Sequence, residues 1–465
     1  GLMEMLFPLV LGLFLFYRPR IHNTSLIRGI AEIFSQEKAN IHILIGTSAL
    51  LIVVSIFVSL SRGAMISTVV SLLVFTGFLL QRRISRGNTL LIMGMIILAA
   101  LGIGWFGWEQ ILERFARLKN AHGIIHESRL EFWKDTWAMI QDFVFTGSGM
   151  GAFSHVYPLY RTIISDRVLT HAHNDYLEML AEGGVVGFFL TGLFLAVIFL
   201  KTYRVFKQRR DAFSIYLYIG SLSALLAILV HSGTDFNLHI GANGLWFFFT
   251  AGMLVASAHT SQRKAGRETL LPLVHFKAVK PILVGGLCVI FLAMTAFNLS
   301  HLVGRFYYNT IKNYPVNQST SAEIFAKIDK IAGLTARFDM FHAGARFISA
   351  DIAWFQGDEK RAEKLFRAAV HRDPLNSLYL GRFANFLGRQ DEKQRAELGF
   401  KKRMVYDRTR ADYTFQYATW LLAGENREKG LQYMRRTLEL DENFMDRVLT
   451  AMIVGIGVDF AVHYL

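Results

Sequence analysis

Charge is scarce in this sequence, and so are the residues from which metal and disulfide frameworks are built. Asp, Glu, Lys and Arg together make up 18% of the 465 residues. Soluble domains carry about a quarter, so an ordinary soluble domain is excluded as a description of the whole chain. The single cysteine, Cys288, lies inside an apolar run, which leaves no disulfide framework and no cysteine-based metal site. The loops between apolar runs hold no Asp-x-Asp pair of the sort that binds a nucleotide-sugar metal, and no metal or cofactor is expected. What is abundant is apolar: 52% hydrophobic residues and a mean hydropathy of +0.32. The net charge of +14 sits largely in short loops between apolar runs, as membrane topology requires, and does not point to nucleic acid.

About 20 apolar residues cross the hydrocarbon core of a membrane. Runs of this kind predict spans at residues 2–17, 41–60, 63–80, 89–106, 174–200, 213–230, 244–257 and 281–299. Residue 1 is not a methionine and leads straight into the first run, so the chain is read as lacking spans that precede it. The loops at 17–40, 81–88, 201–211 and 261–280 lean basic, which assigns them to the cytoplasm. Alternation then places Ser61-Arg62, residues 107–172, residues 231–243 and everything after 299 outside.

After residue 299 the composition becomes soluble and helical, with a period of 34. Ala350, Ala384 and Ala418 keep that spacing, as do Asp373, Asp407 and Asp441, and Phe366, Phe400 and Met434. Ala362, Ala396 and Gly430 follow it too. Small residues at helix crossings with a bulky one between them resemble the tetratricopeptide repeat. Residues 357–374 fit best, and 321–339 read as the second helix of a further unit. The expected organisation is a transmembrane domain over 1–299, a periplasmic tetratricopeptide-like solenoid over 300–447, and an apolar tail at 448–465. The tail resembles a transmembrane motif of resistance-nodulation-division exporters and has no physical account within a solenoid.

The unusual polar residues fall in the outside loops. His171, His173, Asn174 and Asp175 precede the run at 174–200. Asp175 and Glu178 have capping-box spacing, so their simpler role is to start a helix. With Asp175 as N-cap, His173 falls at the aqueous rim, either as an interfacial anchor or as a general base able to titrate near neutral pH. Glu182, two turns into the span, calls for a polar interior or a partner. Gly183 and Gly187 form a small-xxx-small face suited to helix packing. Arg62 stands in a tight outside turn, Arg129 on a segment whose Leu130, Trp133, Trp137 and Ile140 suggest an amphipathic helix on the membrane surface, and Arg161 after two tyrosines. Guanidinium forks suit phosphate oxygens. Residues 147–151 (GSGMG) read as a loop turn rather than a nucleotide fingerprint. Asp235, His239 and Asn243 lie in 231–243. The spacing of His231, Asp235 and His239 would suit a metal on one helix, but Gly233 argues against that helix.

Taken together, Ser61-Arg62-Gly63-Ala64, Ser128-Arg129 with Trp133, residues 147–153, the run His173 to Glu178 and residues 231–243 resemble, in that order, the O-antigen ligase and polymerase superfamily. The resemblance covers about residues 40–258. It implies an all-α polytopic bundle of the C-type glycosyltransferase kind, followed here by the α-solenoid. It implies metal-independent, inverting transfer of a glycan from an undecaprenyl-pyrophosphate carrier to a lipid or glycan acceptor, on the outer face of the bacterial inner membrane. His173 would be the base, Asp235 would orient it or hold the acceptor, and Arg62, Arg129 and Arg161 would bind the pyrophosphate. The repeats would hold a protein partner or the acceptor. A solute transporter and a membrane-tethered scaffold are the alternatives from other classes.

Overall fold

The structure is a computed structural model describing residues 1–18, 37–82, 128–164, 169–259, 279–314, 316, 320–424 and 426–456. The expected span at 89–106, most of the basic loops at 17–40, 81–88 and 261–280, and the end of the tail lie outside the described residues. Every regular element among those described is helical. Among the described residues six helices are long and apolar enough to cross a membrane: Asn40–Val58, Arg62–Gln81, Asp175–Phe206, Ala212–His231, Gly241–His259 and Val284–Ile311. The protein is therefore a multi-pass helical membrane protein. The chain divides into two units, one of Gly1–Ser154 with Leu169–Glu268, the other of His155–Val168 with Thr269–Leu465.

In the first unit the helices are α1 (Leu2–Phe16), α2 (Glu37–Val58), α3 (Arg62–Gln81), α4 (Ser128–Asp142), α5 (Asp175–Phe206), α6 (Ala212–His231) and α7 (Gly241–His259). At 15 residues, α1 reaches only about 22 Å at 1.5 Å per residue, so the expected span at 2–17 is a shorter apolar helix. The core lies around α6, whose Tyr218, Ile219, Leu225 and Ile228 are fully buried beside Met5 and Leu11 of α1, Phe75 of α3 and Leu254 of α7. Close approach of α1 to α6 depends on two glycines. A Cβ on Gly12 would stand 2.7 Å from the Tyr216 carbonyl oxygen, and one on Gly220 would stand 2.8 Å from that of Pro8. Without a hydrophobic drive between helices in lipid, such small-residue contact supplies the packing. By contrast α5 leaves Val185, Val186, Phe189, Leu190 and Phe194 exposed, the surface lipid would cover.

One span is broken. Within α5, Gly184 has φ 62° and ψ −171°, and the backbone freed there is taken up by residues 144–153. Val185 and Val186 N–H donate to the carbonyls of Val144 and Phe145 at 2.8 and 3.2 Å, while Ser148 and Gly149 N–H donate to those of Ala181 and Glu182 at 2.9 and 3.0 Å. A Cβ on Gly184 would fall 2.3 Å from the Phe145 oxygen, and one on Gly147 (φ 71°) 2.1 Å from the Glu182 oxygen. Nothing but glycine fits either place. The expected packing face of Gly183 and Gly187 is not used among the described residues, since a Cβ on Gly187 meets nothing within 4 Å. The stripe expected on α4 is also divided: Met139 and Ile140 are buried, whereas Leu130 and Trp137 are about half exposed.

The two ends of this bundle differ chemically. At one end Arg82 donates to the carbonyls of Arg209 and Phe206, and Arg209 donates through Nε and Nη2 to the Ser257 carbonyl at 3.0 and 2.8 Å. Both arginines thus satisfy carbonyls at or near the C-terminal ends of α5 and α7, where cations are favoured. The other end gathers the starts of α3, α5 and α7 with the end of α6, and it carries the histidines.

The second unit begins with α8 (Val279–Ile311), which runs through the expected boundary at 299 without a break. Its last turns pack on α9 (Ala322–Phe338) through Ile311, Phe325 and Ile328. Then follow α10 (Ala343–Phe355), α11 (Glu359–Arg372), α12 (Ser377–Arg389), α13 (Lys393–Tyr406), α14 (Ala411–Ala423), α15 (Arg427–Leu440) and α16 (Met445–Ile456). Ala350, Ala384 and Ala418 occupy α10, α12 and α14 and are 0–1% exposed, and Phe366, Phe400 and Met434 occupy α11, α13 and α15 with the same burial. Asp373, Asp407 and Asp441 are the C-cap residues of α11, α13 and α15. An ion-pair ladder has the same period: Arg361 pairs with Asp329 at 2.5 Å, Arg395 with Glu363 at 3.3 Å, and Lys429 with Glu397 at 3.0 Å. The first part of the apolar tail is not free. It forms most of α16, whose Val448 and Met452 are buried against Phe415, Leu422 and Met434.

Candidate functional site

The histidine end is organised by the turn preceding α5. Asn174, not Asp175, caps the helix, its Oδ1 accepting from the N–H groups of Tyr176 and Leu177 at 3.0 and 3.1 Å. Asp175 is the first helical residue, and its N–H donates to the Ser232 carbonyl at 2.9 Å, tying α5 to the end of α6. The turn is fixed from other sides too. Trp133 Nε1 donates to the Ala172 carbonyl at 3.0 Å, and Ala172 N–H donates to Glu178 Oε2 at 2.8 Å.

His173 takes a left-handed backbone (φ 51°), one of three non-glycine residues to do so among those described. A left-handed residue with a Cβ costs about 1–2 kcal/mol, a strain typical of sites where the side chain must be aimed. Here it directs Nδ1 to Asp235 Oδ1 at 3.1 Å, and the ring meets Phe236 edge-on with centroids 5.0 Å apart. His173 and Asp235 side chains are 29% and 31% exposed, so the pair is reachable from solvent. With Asp235 accepting from Nδ1–H, Nε2 carries the lone pair. Burial works against the Asp235 carboxylate. The hydrogen bonds from His173 and the Phe236 N–H, together with the Arg129 charge, overcome it and hold Asp235 below the ordinary carboxylate range.

Arg129, near the start of α4, donates through Nη1 to the Thr234 carbonyl, beside Asp235. Arg62 begins α3, which Ser61 caps by accepting from Ala64 N–H at 3.3 Å. The next residue, Gly63, lies against His231 and Thr234, where a Cβ would come within 2.5 and 2.7 Å. Of the five residues singled out from the sequence, His173, Asp235 and Arg129 come together at this end of the first unit, and Arg62 stands there at the start of α3. Arg161 has its described partners elsewhere. It belongs to the second unit, is buried, and donates to Thr409 Oγ1 at 2.7 Å and Asp407 Oδ1 at 3.1 Å. His155 on the same segment pairs with Asp373, one period earlier.

Other residues carry more of this end than their spacing suggested. Asp175 and Glu178 are buried and bind imidazoles: His239 Nδ1 lies 2.7 Å from Asp175 Oδ1, and His171 Nδ1 lies 2.8 Å from Glu178 Oε1. The hydrogen bond to Asp175 holds His239 above the ordinary imidazole range against the effect of burial, and the charges of Glu178, Asp175 and Glu182 add to it. Glu182 accepts from Phe153 N–H at 2.9 Å, so the acid deep in α5 fastens the glycine loop. Glu4 of α1 is 1% exposed and lies 2.7 Å from His231 Nδ1. An acid alone in an apolar run was the signal for Glu4. His231, Asp235 and His239 do not share a helix, since α6 ends at His231 and His239 closes a separate short turn, Asn237–His239.

Residues 47–192 match the family described as O-antigen ligase. The match takes in Arg62, Arg129, His173 and Glu182, and it ends before Asp235 and His239. No curated protein matches the chain.

Proposed function

We propose that this protein transfers a glycan from an undecaprenyl-pyrophosphate carrier to a hydroxyl of a lipid or glycan acceptor, on the outer face of the bacterial inner membrane. The observation that carries the reading is the His173–Asp235 pair, held by a strained turn beside Arg129 in a stretch largely similar to O-antigen ligases. In the reaction the acceptor oxygen attacks the anomeric carbon as the bond from that carbon to the pyrophosphate oxygen breaks. The hydroxyl proton passes to His173 Nε2, and the bonding electrons leave with the pyrophosphate. General-base assistance of this kind is worth about 10²–10⁴-fold.

Pyrophosphate departs as an anion, so it needs charge more than a proton. Arg129 and Arg62 supply that charge, and the transfer step itself is metal-independent, with inversion at the anomeric carbon. Arg161 is left out of this role because Asp407 and Thr409 engage its guanidinium. The 34-residue repeats form a solenoid suited to holding the acceptor or a protein partner. The direct test is transfer from purified lipid-linked glycan by the wild-type protein and by His173→Ala. Loss of glycan transfer with normal membrane insertion supports the reading. Unchanged transfer overturns the assignment of the base, and no transfer by either protein on any acceptor overturns the activity.

A further inference from the structure

The carboxylate–imidazole cluster next to the His173 pair is not used by the proposed transfer, and its geometry points elsewhere. One donor atom each from His171, Glu178 and His239 lies within 4.8 Å of the other two. Glu178 Oε1 stands 2.8 Å from His171 Nδ1 and 3.3 Å from His239 Nε2. Ligands of a tetrahedral zinc, each about 2 Å from the ion, lie about 3.3 Å from one another. The Glu178–His239 separation already has that value, and the Glu178–His171 contact is about 0.5 Å shorter.

The surroundings have the form of a ligand support. His239 turns its other nitrogen, Nδ1, to Asp175 Oδ1 at 2.7 Å, and Asp175 Oδ2 is in turn held by Leu238 N–H at 3.0 Å. A carboxylate behind an imidazole fixes its tautomer and makes the facing nitrogen a better ligand. Glu178 is held the same way, by Ala172 N–H on Oε2 at 2.8 Å. His171 is oriented by stacking on Phe236, with ring centroids 4.5 Å apart. Charge agrees with geometry. Asp175 and Glu178 are 5% and 1% exposed, and the cationic partners described for them are imidazoles alone. Two buried carboxylates call for compensating positive charge, and a divalent ion between neutral imidazoles provides it.

We propose that His171 Nδ1, Glu178 Oε1 and His239 Nε2 form a binding site for a zinc-type divalent cation. Two imidazoles with one carboxylate select Zn²⁺ or Co²⁺ over Mg²⁺ and Ca²⁺, which take oxygen ligands. Three protein ligands leave one coordination position open. The ion joins the turn at 171–174, the first helical turns of α5 and the turn Asn237–His239, so it stiffens the segment that aims His173. It does not depend on the transfer reading, because its occupancy is measured without any glycan.

The test is titration of the tag-free full chain, stripped with EDTA and reconstituted in lipid nanodiscs, with Co²⁺ and then Zn²⁺. Expected are one Co²⁺ per chain, a visible absorption band from a low-coordinate site, and its loss as Zn²⁺ displaces Co²⁺. His239→Ala and Glu178→Gln weaken Co²⁺ binding by at least tenfold, Asp175→Asn by about tenfold through the orientation of His239, and His173→Asn leaves it unchanged. Wild-type protein that takes up no stoichiometric Co²⁺ overturns the proposal regardless of how the variants fold. So does binding that survives His239→Ala and Glu178→Gln undiminished.

Discussion

At one end of the first unit, Arg82 and Arg209 are committed to backbone carbonyls, and Arg209 is 5% exposed. At the other end, His173 and Asp235 are each about three-tenths exposed and leave Nε2 of the imidazole to a ligand. Both ends are polar within an apolar chain, but the first uses its charge to finish helices and the second holds it ready. Polarity in a membrane protein therefore says little about function until the partners are known. A side chain such as Arg209, buried with its hydrogen bonds on a carbonyl near a helix end, is structural, and one such as His173, aimed by a carboxylate and open to solvent, is set up for chemistry.

The contrast breaks most sharply on substitution. His173→Asn keeps a side chain that tolerates the left-handed backbone but supplies no base, so transfer should fall about 10²–10⁴-fold while the melting temperature of the purified protein hardly moves. Next in size is Gly184→Ala. A Cβ 2.3 Å from the Phe145 oxygen at positive φ must displace the loop bonded there, at a cost of about 3 kcal/mol or more, read as lost expression or a lower melting temperature. Arg209→Ala should act in the opposite sense to His173→Asn. It removes two charged hydrogen bonds from the Ser257 carbonyl and costs about 2–3 kcal/mol of stability, with transfer per folded molecule unchanged.

Two smaller effects sharpen the picture. Stripping divalent cations should lower transfer only a few-fold, since the ion is proposed to steady the turn and not to meet the pyrophosphate. Abolished transfer would put a metal into the chemistry. In the second unit Glu397 is held at about 2 by Lys401, Lys429 and Tyr417. A depressed carboxyl contributes stability that is complete above its unfolded value near 4.5 and is lost as pH falls through about 2. Glu397→Gln should therefore cost about 1 kcal/mol or less at pH 7, given its solvent screening, and nothing once both forms are protonated. Thermal unfolding at pH 7 and at a pH well below 2 separates the two cases.

Much of this was legible from residue order, for identifiable reasons. Apolar runs exposed four spans to within a few residues, because a membrane demands length and little else, while the helices begun at Asp175 and Val284 run on to Phe206 and Ile311. The spacing of 34 was visible in Ala350, Ala384 and Ala418, which are buried on successive helices, but the ladder of Arg361, Arg395 and Lys429 was not, since it pairs charges 32 residues apart on different helices. His173 and Asp235 stood out as polar residues at span mouths, yet their contact joins positions 62 apart and needed the fold. Asp175 and Glu178 were hidden by a spacing that also fits a helix cap, and Asn174 takes that task. Gly184 was masked by its neighbours, because a small-xxx-small pattern and a broken helix use the same residue type.

One measurement reaches the central claim most directly: single-turnover transfer from purified undecaprenyl-pyrophosphate-linked glycan, with wild type and His173→Asn run side by side in the presence and absence of chelator. The account predicts transfer by wild type under both conditions and at least a hundredfold less by a folded, membrane-inserted variant. Equal rates for the two proteins would contradict it.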